Sequence, residues 1–564
     1  MNMIKKQIIG GMSYVTFTFL LSLYFTVVIN LPVYKALIGI FSQLETVKLG
    51  FVLTIPLFFL ASLNFLFSLF SWPKISKPFF IILLILSSMV SYAGFNYGVM
   101  FDYDMVINIM ETDSSEASSY LSLYSVIWTL LIGVIPALII YKLPIKPITN
   151  PITFITAKLV SMLISLVVVG LIAAAYYQDY ASVGRNNSYL KKVIIPTQFV
   201  YSTSQYVKDT YFTTPQPYKQ IGLDAKQSDA TLAQAQTKPT LMIIVVGETA
   251  RAQNYELNGY HRNTNPYTRE LDMISFQDVT ACGTATAVSV PCMFANMTRD
   301  NFNRSQADNQ DNLLDILQRA NVSQLWKEND GGDKSVAKNI TKIEIDRSRK
   351  DEMCNGSTCY DMALLENIEQ DIEQDIEDLS GNRMITLHLI GSHGPTYYQR
   401  YPSNKAIFQP DCPRADIENC SQEQIINSYD NTILYTDYVI SQMIDKLKQL
   451  DEQYNTALVY ISDHGESLGE NGTYLHGIPY RFAPEYQTKV PLMVWMSPSF
   501  QQTKNIDYTC LKQAARKTGT YSHDNIFHSM LGVMDVSTQE YQAQLDIFSQ
   551  CRNKFATEVT KNNN

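Results

Sequence analysis

The chain has 564 residues, more than one ordinary domain accommodates, so at least two structural units are expected. Its formal net charge of −9 excludes a basic nucleic-acid footprint and gives no long-range attraction to an anionic partner, which local groups would have to hold instead. Up to about Tyr177 the sequence is apolar with long charge-free runs, and beyond it the composition is that of a mixed, soluble protein.

Five apolar segments are long enough to span a bilayer: Tyr14–Leu31, Leu49–Phe70, Phe79–Phe95, Leu121–Ile140 and Ala157–Tyr177. Lys5 and Lys6 precede the first, but no small-residue cleavage site follows it, so it reads as an uncleaved helix rather than a signal peptide. Lys5/Lys6, Lys74/Lys77 and Lys142/Lys146 alternate onto one side. The opposite side has Lys35 and Lys48 in its first loop, and its second loop carries Asp102, Asp104, Glu111, Asp113 and Glu116 without a basic residue. The positive-inside rule places the N-terminus in the cytoplasm and the C-terminal region outside. Residues 1–177 are therefore expected to form a five-helix transmembrane domain.

Residues 178–238 read as a bridge. Within it, Ser188–Phe212 mixes Leu190, Val193, Ile194, Phe199, Val200, Tyr206 and Tyr211 with Lys191, Lys192 and Lys208. That pattern suits either a helix lying at the membrane surface or a connector packed on the soluble domain. Asp224–Lys238, rich in Ala, Gln, Thr and Lys, reads as a flexible linker.

From Pro239 to Asn564 short apolar runs alternate with amphipathic stretches. Leu241–Val246, Met384–Ile390 and Ala457–Ile461 are expected strands; Asn312–Ala320, Gln424–Leu450 and the run Ile526–Met534 are expected helices. The alternation predicts an α/β domain with a mostly parallel sheet, in which ligands bind beyond the carboxyl ends of the strands. All eight cysteines lie in this part, and their spacing suggests pairs Cys282/Cys292, Cys354/Cys359 and Cys412/Cys420, leaving Cys510/Cys551 by elimination. No four-cysteine zinc spacing is present, so an oxidising compartment is expected.

The three expected strands end in chemically capable residues: Gly247-Glu248-Thr249, Gly391-Ser392-His393-Gly394-Pro395 and Ser462-Asp463-His464-Gly465-Glu466. Glu248, Asp463 and His464 offer two carboxylates and an imidazole, a donor set for Zn²⁺ or Mn²⁺. Between Cys282 and Cys292 lies a loop of small hydroxyl residues that includes Thr284 and Thr286. A disulfide closing so short a loop stabilises by about 3 kcal/mol on the chain-entropy model. A threonine hydroxyl is a feeble nucleophile, and coordination to a dication would favour its alkoxide. His393 and His476 can bind a second metal, hold phosphate or act as a general acid. His388 lies within a strand and reads as a core histidine, while His261 suits a surface loop or a substrate contact. Asp524 or Asn525 is expected to cap the helix that follows, with His523 and His528 either positioning that helix or supporting the site ligands from behind.

Several motifs in this order resemble the lipid A phosphoethanolamine transferases, the EptA and mobile colistin-resistance group of the alkaline-phosphatase-like superfamily. They are Val246-Gly-Glu-Thr-Ala-Arg251, Asn254-Tyr-Glu-Leu-Asn-Gly-Tyr260, Asn263-Thr-Asn-Pro266, Cys282-Gly-Thr-Ala-Thr286, Val290-Pro-Cys-Met-Phe294, Ser392-His-Gly-Pro395, Ser462-Asp-His-Gly-Glu-Ser-Leu-Gly-Glu-Asn-Gly472 and Ser522-His-Asp-Asn525. The resemblance covers essentially the whole chain. It implies an α/β/α alkaline-phosphatase/sulfatase-like domain tethered to the transmembrane helices, with Thr286 rather than Thr284 as nucleophile. It further implies zinc ligation by Glu248, Thr286, Asp463 and His464, with one ion firmly held and His393 and His476 either at a second zinc or at the phosphoethanolamine group. Lys334, Asn108, Thr112 and Glu116 match positions that contact the donor or its headgroup. Ala285 stands where many relatives have Ser, which leaves no helper hydroxyl there.

The implied enzyme is a multi-pass protein of the Gram-negative inner membrane with a periplasmic catalytic domain, expected to be a monomer. Phosphoethanolamine passes from phosphatidylethanolamine to lipid A through a threonine-bound intermediate, releasing diacylglycerol and lowering polymyxin and colistin binding. Rival readings are a sugar acceptor in the lipopolysaccharide core or another glycan, a phosphoglycerol transferase, and a non-catalytic envelope scaffold, against which the intact site residues argue. A sulfatase would need a Cys/Ser-x-Pro-x-Arg motif, and Cys412-Pro413-Arg414 lacks that spacing.

Overall fold

The computed structural model describes residues 11–44, 46–214, 216–373 and 381–552. Two compact units emerge, one comprising Met1–Val106 with Leu121–Tyr211, the other Ile107–Tyr120 with Phe212–Asn564. Lys5 and Lys6 lie outside the described residues.

Among the described residues of the first unit four helices are long and apolar enough to cross a membrane: Leu49–Phe70, Ser76–Asn96, Leu123–Lys142 and Pro151–Asn186. The first expected span departs from a straight helix. Tyr14–Ile29 and Leu31–Phe41 form a pair bent by 51°, so the count is four, or five if the bent pair is one span. Asn30 causes the break. Its amide donates to the Phe25 and Ile195 carbonyls at 3.0 and 2.6 Å, its Oδ1 accepts the Ile195 N–H at 2.9 Å, and Pro32 follows in the next first turn. Elsewhere the helices approach closely. A Cβ built on Gly133 would meet Ser88 Oγ at 2.2 Å, so only glycine fits that crossing. Phe17, Phe25, Phe67 and Phe80 fill the middle of the unit, and the bridging stretch contributes Ile195 and Phe199 to the same core.

Asp224–Lys238 is not a flexible linker. Lys226–Gln227 pairs with Val536–Ser537, and Asp229–Thr237 is a helix whose N-cap, Ser228, accepts the Thr231 N–H at 3.1 Å. Alanine and glutamine are good helix formers, and a serine cap adds about 1 kcal/mol, so the composition that suggested a linker also suits a short helix.

The second unit is built on a seven-stranded sheet: β1 (Thr240–Gly247), β2 (Ile274–Phe276), β3 (Ser323–Glu328), β4 (Thr341–Glu344), β5 (Arg383–His388), β6 (Asn455–Ser462) and β7 (Leu492–Met496). Its spatial order is β2-β7-β6-β1-β5-β3-β4. The ladders joining β6, β1, β5, β3 and β4 are parallel, whereas β7 runs antiparallel to both β6 and β2, which makes the sheet mixed. Every residue of β1 is buried, as expected of a central strand covered on both faces. Met242, Ile244 and Val246 pack into one core with residues of α1 (Thr286–Phe294), α2 (Leu313–Arg319) and α4 (Asp524–Val533). The long helix α3 (Gln422–Gln449) starts at a capping box of Ser421 and Gln424 and contacts β6. Four disulfides join Cys282 to Cys292, Cys354 to Cys359, Cys412 to Cys420 and Cys510 to Cys551.

The parallel register has a chemical consequence. Val246 of β1 sits opposite both Ile461 of β6 and His388 of β5, and His388 sits opposite Glu328 of β3. Four neighbouring strands thus end level, and the residues that follow them converge on one rim.

Candidate active site

Glu248 follows β1, and Asp463 and His464 follow β6; all three are fully buried. His464 Nε2 lies 3.5 Å from Glu248 Oε1 and 3.3 Å from Asp463 Oδ2. His464 Nδ1 is 3.0 Å from the Gly465 carbonyl, which can only accept, so Nδ1 carries the proton and Nε2 presents a lone pair to the two carboxylates. Burial, then the neighbouring His476, lower the His464 imidazole to about 4, so the ring is neutral. Asp463 Oδ1 accepts the Thr249 and His464 N–H groups, while its Oδ2 has no hydrogen-bond partner among the described residues. Lone pairs so placed repel one another unless a cation stands between them. The donor set and the unpartnered oxygen therefore fit a divalent metal.

Thr286 opens α1, and its hydroxyl donates to Glu248 Oε2 at 3.1 Å and lies 3.4 Å from His464 Nε2. Thr284 faces elsewhere, its hydroxyl donating to the Ile478 carbonyl at 2.7 Å. The loop that carries them is held from several directions. The Cys282–Cys292 disulfide ties it to the end of α1, Gly283 N–H donates to Ser289 Oγ at 3.0 Å, and Cys282 N–H donates to His523 Nδ1 at 3.1 Å. His523 Nε2 is 2.9 Å from the Ser462 carbonyl, so one imidazole ties the threonine loop to the end of β6. Its role is thus at this rim as well as at the start of α4. Neither Asp524 nor Asn525 caps α4 as expected: Asp524 accepts the Arg299 N–H, and Asn525 accepts from Ser522 and donates to Leu545. His528 Nδ1 accepts the Gln542 N–H at 3.2 Å, away from the rim, and His261 is an exposed side chain against Tyr260.

His393 and His476 reach the same rim, close enough to Glu248 for the three to share an ion. His476 Nδ1 is 2.9 Å from Glu466 Oε2, and Glu466 Oε1 accepts the Tyr397 hydroxyl at 2.5 Å. His393 Nε2 lies 3.2 Å from Glu116 Oε1. Burial alone would lower His393, but Glu116 and its hydrogen bond outweigh it and raise the imidazole to about 9. Burial would likewise raise Glu116, yet His393 followed by Lys334 and His476 brings its carboxyl down to about 2. Lys334 is buried, which would lower its ammonium, but Asp330, Glu116, Glu111 and Glu248 raise it instead. Of the acidic segment Glu116 contacts His393; Thr112 donates to the Asn108 carbonyl at 2.7 Å within its own helix, and both are half-buried.

Sequence reasoning missed several members. Glu328 ends β3 and Asp330 follows it; the Ser-Gln-Leu-Trp-Lys-Glu pattern of the strand is too polar to announce a buried element, although all six residues are buried. Glu466 lies inside a recognised motif without having been assigned a role. Arg304 lies in no motif that the sequence announces; its guanidinium pairs with Glu111 at 2.9 Å and Asp308 at 2.8 Å, and it donates to the Ala287 carbonyl, one residue past Thr286. His388 was expected to be an ordinary core histidine. It is fully buried but ion-paired, its Nδ1 2.8 Å from Glu328 Oε2.

A family model described as sulfatase matches residues 240–536, and one described as phosphoethanolamine transferase EptA/EptB matches residues 59–211. The chain is 37% identical over 549 residues to the phosphoethanolamine transferase EptA of Salmonella typhimurium, covering 97% of this chain and 98% of that one. It is 32% identical to the phosphatidylethanolamine transferase Mcr-1 of Escherichia coli, covering 87% of this chain and 90% of that one. Its fold is similar to the solved integral membrane lipooligosaccharide phosphoethanolamine transferase A of Neisseria meningitidis, with a TM-score of 0.89 and 35% identity over 95% of this chain and 98% of that one.

Proposed function

The chain belongs to the EptA family of phosphoethanolamine transferases, and from that membership we propose that it transfers phosphoethanolamine from phosphatidylethanolamine to a phosphate of lipid A. One observation carries the chemistry: the Thr286 hydroxyl, alone of the loop hydroxyls, faces Glu248 and His464 at 3.1 and 3.4 Å. A zinc ion held by Glu248, Thr286, Asp463 and His464 would supply a Lewis acid that favours the threonine alkoxide and offsets charge on phosphoryl oxygens.

Thr286 Oγ1 attacks the donor phosphorus as the bond to the glycerol oxygen breaks, leaving phosphoethanolamine on the threonine and releasing diacylglycerol. The Thr286 proton passes to Glu248, its hydrogen-bond acceptor. His393, kept protonated beside Glu116, is placed to give its proton to the departing glycerol oxygen. His476 and Lys334 hold phosphoryl oxygens, and the N–H groups at the start of α1 add their partial positive charge. Glu116 uses its second oxygen for the donor ammonium, with Asn108 and Thr112 on the same segment. A lipid A phosphate oxygen, giving its proton to His393, then attacks the phosphothreonine phosphorus from the side the diacylglycerol left; the bond to Thr286 Oγ1 breaks, and Oγ1 takes its proton back from Glu248. Residues 1–177 would hold the lipid phase, 178–238 would bridge and 239–564 would catalyse, with the N-terminus cytoplasmic and the catalytic domain periplasmic.

Mass spectrometry tests this twice. The purified chain incubated with phosphatidylethanolamine should carry phosphoethanolamine on Thr286, and lipid A from cells expressing it should gain that mass. Lipid A of unchanged mass beside a modified core sugar would move the acceptor; diacylglycerol formed only from phosphatidylglycerol would overturn the donor.

A further inference from the structure

Glu248 is the hub of more than one cluster. On the side facing β5 and β3 it meets His388 and Asp330, and ligand atoms of the three lie within 4.8 Å of one another. All are buried, with Glu248 and His388 fully enclosed and Asp330 6% exposed. The lone-pair inventory on this side is incomplete. Glu328 is fully engaged: Oε2 meets His388 Nδ1 at 2.8 Å and the Trp326 indole N–H at 2.8 Å, and Oε1 accepts the Asp330 and Gly331 N–H groups at 2.6 and 3.0 Å. The far nitrogen of His388, Nε2, has no hydrogen-bond partner among the described residues, and neither does Asp330 Oδ1. His388 Nε2 is 3.8 Å from Asp330 Oδ2, too long for a hydrogen bond. It is close to the separation of two ligand atoms that share one ion at bonds of about 2.0–2.2 Å.

We propose that Asp330, His388 and Glu248 form a second divalent-cation site, distinct from both the Thr286 cluster and the His393–His476 pair, with Glu248 as the bridging carboxylate. Glu328 has the role usual for a carboxylate behind a metal-bound imidazole: it fixes the Nδ1–H tautomer and aims Nε2 at the ion. Two carboxylates and one imidazole suit Zn²⁺ or Mn²⁺. The carboxylates Glu248, Glu328, Asp330 and Asp463 converge here, faced by Lys334 and by the imidazoles of His388 and His393. The inference rests on the metal reading of the Thr286 cluster only through the shared Glu248.

The test is metal content of the full chain in detergent, measured by equilibrium dialysis against Zn²⁺ or Mn²⁺ alone. Two ions per chain are expected for the parent and one for Asp330→Asn and for His388→Gln, whereas His476→Ala keeps two. Glu328→Gln should weaken the second ion by about 10–100-fold. If a variant fails to fold, the parent still decides. Mn²⁺ ions bridged by one carboxylate couple magnetically, so the parent loaded with two Mn²⁺ should show an exchange-coupled signal. Loss of the second ion in His476→Ala but not in Asp330→Asn, or two uncoupled Mn²⁺ signals, would overturn the site. A parent that binds no ion would instead overturn the metal reading of the Thr286 cluster.

Discussion

Thr284 and Thr286 are two residues apart, and nothing in their local chemistry tells them apart. The structure gives one hydroxyl to a backbone carbonyl and turns the other to the carboxylate rim. Thr286→Ala should therefore lower transfer by about 10³-fold or more and abolish the covalent adduct. Thr284→Val, which loses one hydrogen bond, should cost about 1 kcal/mol of stability and keep the adduct. Comparable losses in both variants would contradict the assignment. The Glu116–His393 pair adds a pH prediction. His393 is raised to about 9 from an ordinary 6.5, so its stabilising contribution is complete below pH 6.5 and is lost as pH rises through about 9. Glu116 is depressed to about 2 from 4.5, so its share persists above 4.5 and disappears only as pH falls through about 2. Metal-stripped parent protein should lose melting temperature between pH 6.5 and 9, and Glu116→Gln should flatten that slope.

At the scale of elements, the loop before α1 and the segment bearing Glu116 are positioned by different devices. The Cys282–Cys292 bridge closes a short loop, so replacing both cysteines by alanine should destabilise by about 3 kcal/mol or less in denaturant titration. Transfer should fall further than stability does, because the loop carries Thr286. Arg304 links Glu111, Asp308 and the Ala287 carbonyl. Its side chain is 13% exposed and Glu111 is 29% exposed, so solvent screening reduces the loss from Arg304→Ala to about 1–3 kcal/mol. The kinetic effect should be larger, about tenfold or more in kcat/KM, since small displacements of reacting groups are costly. Restoration by Arg304→Lys would show that charge alone suffices; continued loss would show that the forked geometry is required.

For the whole molecule, residues 107–120 group with the catalytic unit although they lie between apolar spans in sequence. A fragment beginning at Phe212 keeps the seven strands and all four disulfides but lacks Glu116. It should remain folded, bind metal and react weakly with phosphatidylethanolamine in vesicles; a fragment as active as the full chain would remove Glu116 from the donor site. In cells, the full chain should add phosphoethanolamine to lipid A and reduce polymyxin binding, with Thr286→Ala indistinguishable from an empty control.

How much of this was legible depended on whether the signal was local. Long apolar runs, paired cysteines and the strand-end motifs at Glu248, His393 and Asp463 are local, because burial period, loop closure and turn chemistry act over a few residues. From them came the membrane and catalytic parts, the cysteine pairing and the residues at the rim that close the strand motifs, Glu248, His393, Asp463 and His464. The bend at Asn30 was not legible, since it depends on an amide meeting Ile195 far along the chain. Nor was the helix at Asp229–Thr237, whose composition suits helix and linker alike. Asp330, His388, Glu328 and Arg304 acquire their meaning only from the register that brings β6, β1, β5 and β3 to a common end. The sequence by itself determined which chemistry the chain can carry. Only the tertiary structure decided which threonine faces the carboxylates and which buried side chains remain without partners, because both depend on contacts between strands distant in sequence.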